Sequence, residues 1–355
     1  MSTNASGHRD DHQRQVPEQA PPTLGQRFRQ PQTLLSFLFA ILIVAFLVRR
    51  LDIDPAEVWR QLRSANLPLF ALAVLTFYSG FLLRVVRWRY MLTTAGVTQL
   101  PGVKLPSNLE LLNIMLLAWF ANCVVPAKLG DVYRGFLLKR QSNAPFTTTM
   151  GTIAAERLID FVVLLLLLVS SGLVVFGTHL PSGTRSVVVY GGATILAGVA
   201  AIGILWRFRS PLLRRLPARL ADPVDRVQTG LFENLKNPWR SAGYSVLLWL
   251  LDGTRFFLVA WSLNVMLPIW TSLFIALLAS LASVSPVTPA GLGVVEAVLI
   301  SVLPLVGVAE DSATAIAILE RLVSYWSLIL VGLPLYIVHV RRDISAAVQQ
   351  EPISA

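Results

Sequence analysis

The chain has 355 residues, 54% hydrophobic and 14% charged, with a formal net charge of +10. Soluble domains are about one quarter charged, so this composition excludes a soluble globular protein and requires an integral membrane one. The basic excess does not read as a nucleic-acid surface, because Lys and Arg gather beside apolar runs, where they set topology and meet anionic lipid.

Residues 1–33 are polar, with Pro17, Pro21, Pro22 and Pro31, and read as a disordered tail. A span needs roughly 20 apolar residues. Runs that approach or reach this length cover 34–48, 67–83, 158–177, 186–206, 243–265 and 314–340, and 341–355 is a short C-terminal tail. Two further regions are interrupted. Residues 109–140 carry an apolar half, then "PAKLG", then an amphipathic half; residues 271–307 carry "PVTPAGLG" between two apolar halves. Each half is about 11 to 17 residues, which suits a re-entrant or broken helix. The expected fold is therefore all-α: about six full spans plus two broken-helix hairpins, up to eight or nine apolar segments in all.

Charge asymmetry favours one topology. The stretch 207–242 holds eight Lys/Arg, whereas 178–185 holds one and 307–313 holds only Glu310 and Asp311. The basic stretch 207–242 and Arg341 and Arg342 are expected in the cytoplasm, and the two weakly charged loops outside. This works if 109–140 and 271–307 each return to the side they entered. Its cost is four arginines in 49–66 on the outside. A chain starting outside, with every apolar half crossing, is the alternative.

The chain also repeats itself. Gly80 and Trp88 match Gly253 and Trp261 at an offset of 173; Pro126 and Gly130 match Pro289 and Gly293 at 163; Glu156-Arg157-Leu158 matches Glu320-Arg321-Leu322 at 164. Repeat one covers about 67–177 and repeat two about 243–340. With re-entrant hairpins the repeat is inverted, an architecture suited to alternating access with a site where broken helices meet.

Two classes of residue then stand out. Helix-breaking positions are Asn122, Pro126 and Gly130 in the first hairpin and Pro286, Pro289, Gly291 and Gly293 in the second; backbone freed there needs protein or a water-filled cavity to satisfy it. Ionisable residues inside apolar runs are functional candidates by default. Arg134, Arg157, Arg321 and Lys128 are the candidates for lipid phosphate, since guanidinium is the preferred partner of phosphate. Asp131, Glu156, Asp160, Glu296, Glu320, Asp252 and Arg255 are candidates for charge balance or proton coupling. The plainer alternative is that these groups pair across the two repeats and hold them together. Arg84, Arg87 and Arg89 read only as a cytoplasmic anchor at the end of a span. One cysteine, Cys123, and the scattered His8, His12, His179 and His339 give no metal site, and no cofactor is expected.

At "NCVVPAKLGDVYR", "ERLID", "SPVTPAGLGVVEA" and "LERLVSYW" the chain resembles the flippase-like family defined by the transmembrane region of lysylphosphatidylglycerol synthases. The resemblance covers roughly 34–340. The family commonly has Glu where this chain has Asp131, and Gly-Gly where it has Ala290-Gly291. The chain stops 15 residues after Val340, so the resemblance implies the lipid-translocating half without the soluble synthase. It further implies a lipid translocase or lipid-binding transporter of the plasma (inner) membrane, for an anionic phospholipid or polyprenyl-phosphate-linked lipid, with envelope-biosynthesis enzymes as partners. The alternatives are a membrane-embedded headgroup transferase, for which paired carboxylates supply acid–base groups, and a non-catalytic partner of an envelope enzyme.

Overall fold

The computed structural model describes residues 54–125, 129–177, 207, 217–284 and 288–350. The expected tail 1–33, the runs 34–48 and 186–206, the loop 178–185, and Pro126, Lys128 and Pro286 lie outside these residues. Among the described residues the fold is all-helical. In chain order the helices are α1 (Pro55–Arg63), α2 (Leu67–Thr94), α3 (Asn108–Val124), α4 (Gly130–Ser142), α5 (Phe146–Phe176), α6 (Ala218–Lys236), α7 (Trp239–Ser262), α8 (Ile269–Ala282), α9 (Val294–Val302), α10 (Glu310–Arg321) and α11 (Ser327–Gln350). Among the described residues five segments are long and apolar enough to cross a membrane: α2, α5, α7, Pro289–Val306 and Glu310–Arg341. The chain is therefore an integral membrane protein.

The helix ends follow local chemistry. Asn66 caps α2, its side-chain oxygen accepting from Leu69 N–H at 3.2 Å. Ser107 and Glu110 close a reciprocal capping box on α3, satisfying backbone donors that a helix start leaves orphaned. Hydrogen bonds from Ser107 hold the exposed Glu110 carboxyl below its ordinary pKa. The left-handed Asn143 ends α4 and Gly177 ends α5.

Helices α2 and α7 pack along each other and carry much of the core, with Phe81, Trp88, Phe256 and Val259 inaccessible to solvent. At one end, Asn66 N–H donates to Ser262 O at 2.7 Å, and Asp54 N–H donates to the Asp311 carboxylate at 3.2 Å. The starts of α1, α2 and α10 and the end of α7 therefore share a face. At the other end, Arg89 reaches Pro106 O and Asn108, and Asn234 donates to Met91 O at 3.2 Å. That face gathers the end of α2, the start of α3 and α6.

The structure changes two sequence expectations. The first is the stretch 207–242, which is not simply a loop. It contains α6, which lies across α5 at a glycine crossing: a Cβ on Gly151 would sit 2.1 Å from Val227 O, and one on Gly230 would sit 2.2 Å from Thr148 O. Side chains are absent there because the two backbones occupy the space. The second change is the length of α2. It continues beyond residue 83 to Thr94, so Arg84 and Arg87 lie inside the bundle, 8% and 2% exposed. They are not anchors at a membrane surface. Arg89 alone keeps that character, being only half-buried.

Candidate functional site

Both interrupted regions break where the sequence places its Pro and Gly. After the first break α4 folds back along α3. Gly130 N–H donates to Asn122 Oδ1 at 2.8 Å, and the Arg134 guanidinium lies 3.4 Å from Met115 Sδ. A Cβ on Gly130 would fall 2.0 Å from Ala118 O, so only glycine permits this return. The second break runs through Pro289–Gly291, with Ala290 left-handed at φ 47°, Gly291 at 68° and Gly293 at 83°. Ala290 thus occupies a conformation that glycine adopts more easily, at the position where the family resemblance places a glycine.

The last membrane segment touches both breaks. Immediately after Glu320-Arg321, Leu322–Trp326 form one π-helical turn, a distortion frequent at functional sites. It sets Tyr325 so that its hydroxyl donates to Cys123 O at 3.0 Å, at the end of α3. Arg321 donates to Ala290 O at 3.2 Å and to Glu296 at 3.0 Å. Tyr325→Phe removes the hydroxyl that donates to the Cys123 carbonyl and is expected to cost about 1–3 kcal/mol, read as a lower melting midpoint in detergent.

The intramembrane charges are almost all paired, and the pairing pattern occurs twice. In the first half, Glu156 sits between Arg87 (2.9 Å) and Arg134 (3.0 Å), and Arg157 forms two hydrogen bonds of 2.8 Å with Asp131 in the first turn of α4. In the second, Glu320 pairs with Arg255 at 2.7 Å, and Arg321 pairs with Glu296 in the first turn of α9. Glu296 also accepts from Gly293 N–H at 2.7 Å, which secures the restart of the helix. Asp160 shares Arg87 with Glu156 and accepts from Ser245 at 2.7 Å. As the helical spacing predicts, Glu156 and Asp160 use one face; Arg157 stands 3.9 Å from Asp160, and Arg255 stands 3.8 Å from Asp252. The pairs form within each half and do not bridge the two. The exception is Arg84 with Asp252, at 3.9 Å.

These groups surround a cavity of about 530 Å³. Its wall includes Arg84, Arg87, Arg157, Arg255 and Arg321, with Asp131, Glu156, Asp160, Asp252 and Glu320, and it reaches Asn122 at the first break and Ala290 at the second. Aromatic and aliphatic side chains, among them Phe77, Trp119, Trp249 and Leu164, fill the rest. Arg134, 1% exposed and stacked 4.7 Å over Trp88, is outside this wall and serves as a partner of Glu156. Glu296 also stands behind it, reaching the site through Arg321. No group of three or more His, Cys, Asp or Glu fit to hold a metal occurs among the described residues. Sequence reasoning missed Arg84 and Arg87. Their three-residue spacing, on the face that also carries Gly80 and Trp88, was the available signal.

The family profile described as lysylphosphatidylglycerol synthase TM region matches residues 33–332. A UPF0104 membrane protein of Methanocaldococcus jannaschii is 32% identical over 63% of this chain and 96% of its own length. A UPF0104 membrane protein of Methanothermobacter thermautotrophicus is 25% identical over 84% of this chain and 93% of its own. The glycosyltransferase AglD of Haloferax volcanii is 25% identical over 85% of this chain, which spans 53% of that protein.

Proposed function

The chain belongs to the family of the lysylphosphatidylglycerol synthase TM region, and we propose that it is a lipid translocase or lipid-binding transporter for an anionic phospholipid or polyprenyl-phosphate-linked lipid. The observation that carries this reading is the cavity of about 530 Å³, lined by five arginines and five acids, between two broken helices of a membrane bundle. Charges are costly at membrane depth unless they pair or face a water-filled cavity, and such groups commonly mark a substrate pathway. The headgroup travels through this cavity while its tails remain in the bilayer.

The twice-used pairing pattern, Glu156–Arg87 with Arg157–Asp131 and Glu320–Arg255 with Arg321–Glu296, supports an inverted repeat with two re-entrant hairpins. In that reading the halves rock about the charged layer to alternate access, and the basic side bearing α6 faces the cytoplasm of the plasma membrane. Arg157 is the most accessible guanidinium of the layer, with 43% of its side chain exposed, and it can lend donors to a phosphate while Asp131 steadies it. Arg321 has the matching place at the second break.

Reconstituted into vesicles with fluorescent phosphatidylglycerol, the wild-type chain is expected to expose lipid to an external quencher faster than empty vesicles. Arg157→Ala and Glu320→Gln are each expected to reduce that rate at least tenfold, as loss of a charge-assisted partner implies. A wild-type rate equal to that of empty vesicles across phosphatidylglycerol, cardiolipin and a polyprenyl phosphate would refute the translocase.

A further inference from the structure

Arg84 differs from every other arginine of the charged layer. Each of the others has a carboxylate oxygen within 3.0 Å. For Arg84 the nearest is Asp252 at 3.9 Å, beyond hydrogen-bond length, and its guanidinium makes no hydrogen bond among the described residues. Its side chain is nonetheless 91% buried (9% exposed) and lines the cavity. It is held by aromatic faces, with its central carbon 4.7 Å from the Trp119 ring and 5.5 Å from that of Phe81. Stacking of this kind steadies the cation without using its in-plane N–H donors.

Two neighbours sharpen the picture. Gly80, one turn before Arg84, leaves the room the guanidinium fills: a Cβ there would lie 2.7 Å from Arg84 Nη1. Asp252 is the acid left over when all other pairs are counted. It stands 3.8 Å from Arg255 and 3.9 Å from Arg84 and hydrogen-bonds to neither. A buried charge without a hydrogen-bonding partner is costly, and one held ready with free donors is an anion receptor.

We propose that Arg84 is a further anion-binding residue of the cavity, beside Arg157. It takes the oxygens of a phosphodiester or phosphate monoester, and Asp252 is the resident counter-ion whose place that anion takes. The proposal rests on the lipid-transport reading only for the source of the anion. On arrival of the phosphate, Asp252 stays beside Arg255 and Arg84 exchanges a distant carboxylate for a close phosphate.

The test is binding of a fluorescent short-chain phosphatidylglycerol to the purified full chain in a neutral detergent, followed by polarisation, with inorganic phosphate as competitor. Arg84→Gln is expected to weaken binding at least tenfold, in line with a charge-assisted hydrogen-bonded pair. Gly80→Ala, which keeps the charge but crowds the guanidinium, is expected to weaken it severalfold. Asp252→Asn is expected to strengthen it by removing the competing carboxylate. Wild-type affinity in Arg84→Gln, or weaker binding in Asp252→Asn with an unchanged melting midpoint, overturns the proposal. Displacement by inorganic phosphate at equal concentration supports the site and assigns it to free phosphate. Resistance to such displacement supports it and assigns it to the lipid. Vesicle transport measured alongside separates the two readings. Wild type that binds but moves no lipid refutes the translocase and leaves the site; wild type that moves lipid while Arg84→Gln binds it unchanged refutes the site alone.

Discussion

Glu156→Ala is expected to lower the stability of the bundle by about 3–5 kcal/mol, the usual cost of stranding a buried charge by removing its partner. Glu156 is 3% exposed and carries two guanidiniums, Arg87 at 2.9 Å and Arg134 at 3.0 Å. Arg87 retains Asp160 and Ser245 after the change. Among the described residues Arg134, almost fully buried, then keeps the face of Trp88, the sulfur of Met115 and the charge of Asp131, which it does not hydrogen-bond. Most of the cost therefore falls on Arg134, so the double variant Glu156→Leu with Arg134→Met is expected to recover a large part of it. Melting of the two variants beside wild type in one detergent checks this. A double variant no more stable than Glu156→Ala would place the cost elsewhere.

The second large effect concerns the glycine crossing of α5 and α6. Overpacking a filled interior typically costs about 1–3 kcal/mol and occasionally more. Gly151→Leu is expected to reach or exceed the top of that range, because a Cβ there meets the backbone at Val227 O, at 2.1 Å. A carbonyl in a helix ladder cannot swing away as a side chain can. The two helices must separate, exposing Leu231 and Leu235, which pack beside Ile159 and Val163. Trypsin cleavage after Arg226, an exposed residue of α6, is expected to accelerate about tenfold or more, matching a loss of roughly 1.4 kcal/mol or more in local stability. Unchanged cleavage would mean that α6 does not depend on this contact.

Much of this architecture was legible in advance because lipid imposes strong rules. Apolar length marks spans, and Pro126, Gly130, Pro289 and Gly293 mark interruptions. The membrane character, the all-helical fold and the interruption of 109–140 and 271–307 followed from those rules. The failures have equally physical causes. The uncharged run of the second span ends at residue 83, which makes Arg84 and Arg87 look like surface anchors. Inside a bundle, an arginine costs little extra when Glu156, Asp160 or an aromatic face receives it, and such partners lie at sequence separations that periodicity cannot connect. The basic residues of 207–242 drew attention to topology, although Val227, Leu231 and Leu235 repeat at helical spacing there. The π turn at Leu322–Trp326 has no comparable signature, since it follows from what Tyr325 and Arg321 must reach. Pairing of acids and bases was foreseen, but between the halves; contacts within one half are shorter and already satisfy most of the charges.

The layer of Arg84, Arg87, Arg134, Arg157, Arg255 and Arg321 faces Asp131, Glu156, Asp160, Asp252, Glu296 and Glu320. In their ordinary ionised forms the cations and anions cancel. Rocking such a layer through the membrane field displaces almost no net charge, whereas one elementary charge carried across 100 mV changes the free energy by about 2.3 kcal/mol. In the proposed translocase, current or voltage dependence in vesicles would therefore measure the valence of whatever crosses, cargo together with any accompanying proton, with little contribution from this layer.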